Sequence, residues 1–200
     1  MADDLRLRLA AVSFRQRFFD GSGRIIFLTG PRGSGKSSRC AEFTALARAY
    51  GVAAGGLLSI PVFDSGVKAA IDLMDVGSGA VRRFARRADP DVADVGHWKL
   101  EDGVLDWANS VLRSARGVSL LLVDELGPME LEAGKGLTGG MEALDEGSYS
   151  LALVVVRPEM IPLAVSRWPR GEVVEVGEFG RPLWEILPVS AAETMTEAGT

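Results

Sequence analysis

Residues 30 to 37 form a glycine-rich segment whose spacing suits phosphate binding. Their sequence, GPRGSGKS, fits the pattern G-x-x-x-x-G-K-S/T in full. The glycines let the backbone curl so that its N–H groups converge on phosphate oxygens. In such a loop Lys36 reaches the β- and γ-phosphates of a nucleotide, and the Ser37 hydroxyl ligates magnesium. The predicted phosphate-binding residues are Gly30, Pro31, Arg32, Gly33, Ser34, Gly35, Lys36, Ser37 and Ser38.

A second chemical signal is the acidic pair Asp124 and Glu125, which directly follows the apolar run VSLLLV. An acid at the end of a buried strand is how proteins with a phosphate loop hold magnesium, so Asp124 and Ser37 form the predicted metal site. The adjacent Glu125 carboxylate could orient and deprotonate a water in line with the γ-phosphate, which predicts a catalytic base. The alternative is a solvated acidic pair that opens a loop, and the phosphate loop in the same chain argues against it.

The phosphate loop lies between a predicted strand and a predicted helix. The apolar run RIIFLT at 24–29 is bounded by glycines, which is typical of a strand buried on both faces of a parallel sheet. A predicted helix continues from the loop to about residue 50, where Gly51 ends it. This strand–loop–helix context is what distinguishes a genuine phosphate loop from a chance match to the pattern.

Further apolar runs at 118–123, 151–156 and 172–176 predict more buried strands, and residues 103–116 predict a helix. Strands that alternate with helices indicate an α/β fold with right-handed crossovers. We therefore expect the three-layer sandwich of P-loop proteins, with a mainly parallel central sheet. Ligands in such folds collect at the carboxyl ends of the strands, where the phosphate loop and the acidic pair both lie.

The segment between residues 52 and 87 has a different pattern. Turn signals at 64–66 (DSG) and 77–79 (GSG) predict a small antiparallel hairpin region. The glycine-rich stretch 134–140 predicts a mobile loop before a short helix at 141–146. The predicted division of the chain is an N-terminal helix extension at 1–23, a nucleotide-binding domain at 24–190 and a disordered tail at 191–200.

The N-terminal extension predicts an amphipathic helix over residues 2–22. Its apolar residues form two stripes, so the apolar face is broad. We expect this face to dock on the protein's own sheet, on a second subunit or on a protein partner, in preference to an anionic membrane surface. The stripes are Leu5, Leu9 and Val12, and Leu7, Ala11, Phe14 and Phe18.

Composition excludes several classes of site. The single cysteine, Cys40, rules out an internal disulfide, and the single histidine, His97, rules out metal sites built on histidine pairs. A net charge of −5 gives no general reason to expect nucleic-acid binding. The arginines between 82 and 87 are interpreted as a solvated face, with binding of an acidic partner or a second substrate as the alternative, and in a kinase they could belong to a lid. No apolar run approaches the roughly 18 residues that span a bilayer, and no signal peptide is recognised, so a cytoplasmic protein is expected.

The nine residues from Val123 to Leu131, VDELGPMEL, resemble the V-D-E-I-G-x-M-E-L signature of the THEP1-like nucleoside-triphosphatases. The segment VGHW at 95–98 is similar to the V-G-x-Y segment of that family, and the likeness extends over residues 24–177. It implies a P-loop fold, and it implies slow magnesium-dependent hydrolysis of several nucleoside triphosphates with loose base selectivity. It also implies the phosphate, metal and water roles given above for Lys36, Ser37, Asp124 and Glu125, and a loop-fixing role for Glu130. Pro128 stands where the family often has lysine, and the family's Asn-Arg-Asp after the last strand is absent.

The predicted function is hydrolysis of the terminal phosphate of ATP- or GTP-type nucleotides with Mg²⁺. Two alternatives use the same phosphate loop. One is a nucleoside, nucleotide or polynucleotide kinase, in which Glu125 accepts the proton of a substrate hydroxyl. The other is a nucleotide-dependent switch or assembly protein that docks a partner through its N-terminal helix. Arg157, directly after the strand at 151–156, is interpreted either as a catalytic arginine finger on the γ-phosphate or as a surface arginine at a strand end.

Overall fold

The computed structural model describes residues 2–177 and 181–188, with only the backbone described for residues 2–8. One sheet contains every strand of this part of the chain, in the order β5-β4-β3-β2-β6-β7-β1-β8. The strands are β1 (Arg24–Thr29), β2 (Ala54–Asp64), β3 (Val67–Asp75), β4 (Val81–Arg87), β5 (Trp98–Leu100), β6 (Val118–Leu126), β7 (Tyr149–Val156) and β8 (Glu172–Glu175). The helices are α1 (Ala2–Phe18), α2 (Lys36–Ala49), α3 (Val104–Ser114), α4 (Pro128–Leu131), α5 (Thr138–Glu146), α6 (Ile161–Arg167) and α7 (Leu183–Ile186), with a 3-10 turn at Pro158–Met160.

The central strands are apolar on both faces because both faces are covered. Alternate residues of β1, β6 and β7 enter two separate cores, so Phe27 contributes to one core and its neighbours Ile26 and Leu28 contribute to the other. Helices α3, α5 and α6 cover the first core, and α1, α2 and α7 cover the second. This confirms the predicted three-layer α/β sandwich, and it explains the continuous apolar runs that predicted the strands.

The antiparallel region predicted between residues 52 and 87 forms one side of the same sheet. Strand β2 pairs with β6 in parallel over Ala54–Leu57 and with β3 in antiparallel fashion over Leu57–Asp64. Strands β4 and β5 continue the antiparallel side. The β2–β3 hairpin is therefore a continuation of a core strand, and its position is fixed by the parallel sheet.

Helix α1 packs on α2 through aromatic rings. Phe18 is 1% exposed, and its ring centroid lies 5.1 Å from that of Phe14 and 5.4 Å from that of Phe43. The N-terminal extension therefore docks on the rest of its own chain, and the predicted options included docking on the protein's own sheet. The helix ends at Phe18, earlier than predicted, and the predicted Leu5–Leu9–Val12 stripe is wrong in part because Leu9 is 61% and Val12 51% exposed. The predicted tail at 191–200 lies outside the described residues.

The prediction of a loop over residues 134–140 is partly wrong, since α5 begins at Thr138. The Gly-Gly pair at 139 and 140 lies inside the helix because the helix approaches its neighbours closely there. A Cβ on Gly139 would lie 2.6 Å from the Asn109 carbonyl oxygen of α3, and one on Gly140 would lie 2.9 Å from a Val123 methyl of β6. Tertiary packing therefore requires glycine at both positions, although the local sequence pattern alone predicts a loop there. The short helix α4 was also not predicted.

The arginines between 82 and 87 lie on strand β4, and two of them are ion-paired. Arg83 pairs with Asp72 of β3, and Arg86 pairs with Glu101. This agrees with their interpretation as a solvated face. Within the described residues, no helix has the length and apolar character that crossing a membrane would need.

Candidate functional site

The phosphate loop joins β1 to α2 at the carboxyl edge of the sheet. The loop glycines adopt positive φ angles, 138° at Gly30 and 83° at both Gly33 and Gly35. At Gly30 a Cβ would lie 2.5 Å from the carbonyl oxygen of Val176, directly after β8, so only glycine fits there. Helix α2 begins at Lys36, so its positive N-terminal end faces the enclosed loop. This is the predicted strand–loop–helix geometry.

The side chain of Lys36 lies across its own loop. Its Nζ donates hydrogen bonds to the carbonyl oxygens of Gly30, at 2.7 Å, and Pro31, at 2.8 Å. Burial lowers the pKa of Lys36, and the carboxylates of Glu125 and Asp124 oppose that shift. The ammonium group is therefore held over the curled backbone, where phosphate oxygens would compete for its N–H groups.

Asp124 and Ser37 meet, as the sequence predicted. The Ser37 hydroxyl donates a hydrogen bond of 3.1 Å to Asp124 Oδ1, and the Ser59 backbone N–H donates one of 2.7 Å to Oδ2. Asp124 is 2% exposed. Burial raises the pKa of Asp124 to about 6, and the bonds from Ser59 and Ser37 oppose this shift. A buried carboxylate held by two donors is oriented before any ligand arrives.

Glu125 occupies a bulge in β6. Asp124 pairs with Val155 and Leu126 with Val156, so Glu125 is an extra residue in the parallel ladder. Its φ angle is 92°, an unusual conformation for a residue with a side chain, which costs about 1–3 kcal/mol and is typical of functional sites. At this bulge Glu125 departs from the regular strand pairing, so its side chain is only half-buried while Asp124 and Leu126 are buried.

The Glu125 carboxylate pairs with Arg157, which follows β7. Arg157 donates from Nε to Glu125 Oε1 at 2.8 Å, and its Nη2 donates to the same oxygen. Both side chains remain partly open to solvent, with 44% of Glu125 and 42% of Arg157 exposed. The Arg157 side chain thus reaches the site. The structure brings Lys36, Ser37, Asp124, Glu125 and Arg157 to one edge of the sheet.

Glu130 fixes the loop that follows the acidic pair. Its Oε2 accepts the Gly127 N–H and its Oε1 accepts the Leu137 N–H, each at 2.9 Å. Burial raises the pKa of Glu130, and these backbone hydrogen bonds oppose the shift. The carboxylate therefore ties both ends of the segment 127–137 together, which agrees with its predicted loop-fixing role.

A shallow groove lies on the outer side of the phosphate loop. It has a volume of about 330 Å³ and is lined by Gly35, Ser38, Arg39, Arg181 and Pro182, among others. The Arg39 guanidinium donates a hydrogen bond of 2.7 Å to the Arg181 carbonyl oxygen, which links α2 to the segment before α7. The predicted phosphate-loop residues Pro31, Arg32 and Ser38 are exposed.

Two residues near the site were missed in the sequence. Ser59 contacts Asp124, and Lys68 of β3 lies close enough to sense the charges of Glu125 and Asp124. Neither belongs to a local motif, since the hairpin brings both of them to the site. No cluster of three or more histidine, cysteine, aspartate or glutamate side chains suited to a metal occurs in the part of the chain that the structure describes. His97 is exposed and Cys40 is buried.

Comparison with known proteins gives a consistent result. A sequence model of the NTPase family matches residues 25–182. Nucleoside-triphosphatase THEP1 from Caldivirga maquilingensis is 26% identical over 107 residues, which cover 54% of this chain and 61% of that protein. THEP1 from Methanopyrus kandleri is 25% identical over 151 residues, which cover 74% of this chain and 83% of that protein. This chain thus spans about three fifths of the first relative.

A solved structure also matches. The solution structure of a human cancer-related nucleoside triphosphatase superposes with a TM-score of 0.63 and 21% sequence identity. The match covers 88% of this chain and 99% of the human protein. At this identity the likeness shows a common fold, which is the fold predicted from the sequence.

Proposed function

This chain belongs to the NTPase family, whose model matches residues 25–182, and on that premise we propose that it hydrolyses the terminal phosphate bond of nucleoside triphosphates with Mg²⁺. The observation that carries the proposal is the hydrogen bond of 3.1 Å between Ser37 and Asp124. It joins the phosphate loop to the end of β6, so the groups suited to bind phosphate, metal and water lie at one place. The relatives named nucleoside-triphosphatase THEP1 support nucleoside-triphosphatase activity in general.

The donor set fits magnesium. The Ser37 hydroxyl and the Asp124 carboxylate offer two hard oxygens at a position beside the Lys36 ammonium. Magnesium is usually held by one or two protein oxygens, with water and nucleotide phosphate completing its shell, so a larger cluster of acidic residues is not required. When bound, the ion would neutralise charge on the β- and γ-phosphates.

Lys36 and the loop amides bind the triphosphate in this proposal. The Lys36 N–H groups that now donate to the Gly30 and Pro31 carbonyl oxygens would donate to β- and γ-phosphate oxygens instead. The charged acceptors give stronger hydrogen bonds than the carbonyl groups do. The N-terminal end of α2 adds a favourable field at the same place.

Glu125 orients and deprotonates the attacking water. Its position directly after Asp124 and its turn out of the strand alternation both support this role. The hydrogen bonds from Arg157 hold Glu125 Oε1, which leaves Oε2 to accept a hydrogen bond from water. Arg157 contacts Glu125 directly, so its guanidinium keeps the base in position. In this proposal the same guanidinium would also stabilise the charge that develops on the γ-phosphate.

The nucleoside would lie in the groove beside Ser38 and Arg39. The groove is open, and its lining consists of glycines, serines, charged side chains and one proline. Among the described residues, no aromatic side chain lines the groove, which agrees with the loose base selectivity that the family resemblance implies. ATP and GTP are the proposed substrates, with other nucleoside triphosphates accepted.

The two alternative functions gain no support from the fold. The arginines at 82–87 lie on β4, the second strand from the edge of the sheet, and Arg83 and Arg86 are in ion pairs, which gives no support to a kinase lid. The apolar face of α1 that would dock a partner is in part buried on α2, where Phe14 and Phe18 pack.

Incubation of the purified chain with magnesium-ATP alone tests the proposal. Phosphate release should occur without an acceptor, should extend to GTP, CTP and UTP, and should stop when EDTA removes the metal. Release that requires an added hydroxyl acceptor would favour a kinase. Phosphate release that begins only after a protein partner is added would favour a nucleotide-dependent switch.

A further inference from the structure

The β2–β3 hairpin extends beyond the edge of the parallel sheet at which the candidate site lies. Strand β2 leaves its partner β6 after Leu57 and continues to Asp64. The Ser59 N–H donates a hydrogen bond to Asp124, so the five residues of β2 that follow Ser59, at 60–64, lie beyond the level of that carboxylate. At about 3.3 Å per residue they extend roughly 16 Å past it. The hairpin is thus a wall on the β6 side of the site.

Lys68 lies on the returning strand of that wall. It pairs with Phe63 across a bulge in the hairpin, four residues beyond Ser59 along β2. Crowding by protein atoms lowers the pKa of Lys68 although the side chain remains accessible to solvent. The charges that act on it include Glu125, Arg32, Asp124 and Arg157. These four groups belong to three different parts of the candidate site, so the Lys68 ammonium lies within electrostatic reach of that site.

The Lys68 ammonium is held in place without an ion pair. Its Nζ lies 5.3 Å from the centroid of the Trp98 ring, a contact that orients a cation and leaves its N–H groups free to donate. Among the residues that the structure describes, no carboxylate forms a salt bridge with it. Arg157, by contrast, is already bonded to Glu125. Lys68 is therefore an oriented cation near the site, and no carboxylate of the described residues contacts its charge directly.

We infer that Lys68 is a further triphosphate-binding residue, carried by the β2–β3 hairpin, that contacts the γ-phosphate from the side opposite the phosphate loop. The inference rests on the proposed function and adds a contact that the loop motif does not include. A triphosphate brings one more phosphate group than a diphosphate, and a cation beyond Asp124 is placed to contact that last group. Lys68 then distinguishes triphosphate from diphosphate.

Equilibrium binding of a non-hydrolysable magnesium-ATP analogue and of magnesium-ADP to the full chain tests the inference. Lys68→Ala should weaken the analogue about ten- to one-hundred-fold, as expected for loss of one hydrogen bond between charged groups, and should change ADP affinity less than about twofold. Lys68→Arg should restore most of the difference because it keeps the charge. The control is Lys99→Ala, which removes a lysine of β5 that pairs with Asp94. It should change neither affinity.

Unchanged analogue affinity in Lys68→Ala, or an equal loss for analogue and ADP, would overturn the inference while the proposed function stands. Failure of the wild-type chain to bind either nucleotide would overturn both. Circular dichroism of each variant should match the wild type, since Lys68 is accessible to solvent on a hairpin. If Lys68→Ala alone were unfolded, the Lys68→Arg and Lys68→Gln pair would decide, because arginine keeps the charge and glutamine removes it.

Discussion

Replacement of Glu125 by glutamine separates hydrolysis from nucleotide binding. The amide keeps the size of the side chain and its carbonyl oxygen, so it retains an acceptor for the Arg157 guanidinium that now donates to Glu125 Oε1. What it loses is the capacity to take a proton from water. Turnover should therefore fall, while affinity for a non-hydrolysable analogue stays near the wild-type value.

The size of the effect follows from the chemistry and the geometry together. A positioned general base contributes about 10²–10⁴-fold to a rate, which corresponds to about 3–5 kcal/mol of activation free energy. Glu125 is partly exposed and is held by Arg157 in a strained bulge, so its position is set before substrate binds. A loss toward the middle of that range, roughly 10³-fold, is expected.

The assay is single-turnover phosphate release at saturating magnesium-ATP, with analogue affinity measured in parallel. Glu132→Gln is the matched control, since it makes the same change at an exposed position just beyond α4. It should retain wild-type turnover. A Glu125→Gln rate within about tenfold of wild type would refute the assignment of the base. Equal losses of turnover and affinity would instead assign Glu125 to metal or loop binding.

Three further outcomes are expected. Asp124→Asn should raise the magnesium concentration needed for half-maximal turnover far more than it changes nucleotide affinity, and wild-type turnover at limiting magnesium would remove Asp124 from the metal site. Arg157→Ala should lower the rate of single-turnover phosphate release by roughly 10³-fold, as is typical of arginine fingers. Arg170→Ala, at an exposed position, is the neutral control, and an unchanged rate in Arg157→Ala would leave Arg157 a surface residue. Phe18→Ala should lower the free energy of unfolding, measured in urea, by about 3–5 kcal/mol because Phe18 is 1% exposed. Val12→Ala, at a position that is 51% exposed, should lower it little. Equal small losses would mean that α1 is dispensable for the fold.

The sequence alone determined the features that depend on neighbouring residues. The phosphate loop is a contiguous segment, and its glycines, lysine and serine have their roles through local backbone geometry. The buried strands appear as apolar runs because helices cover both faces, and the acidic pair follows one of those runs directly. These signals predicted the fold, the loop geometry and the meeting of Ser37 with Asp124, since all parallel strands present their carboxyl ends at one edge.

Only the tertiary structure decided which distant groups pair. The Arg157–Glu125 contact joins residues 32 apart, and the Ser59–Asp124 contact joins residues 65 apart. Both contacts depend on strand register, and the first also depends on the bulge at Glu125. Register has no local signature because the packing of the whole sheet sets it. The same reason explains the helical glycines 139 and 140 and the position of Lys68. A local pattern gives a residue's conformation and burial, whereas its partner is fixed by elements that the chain brings together from far along its length.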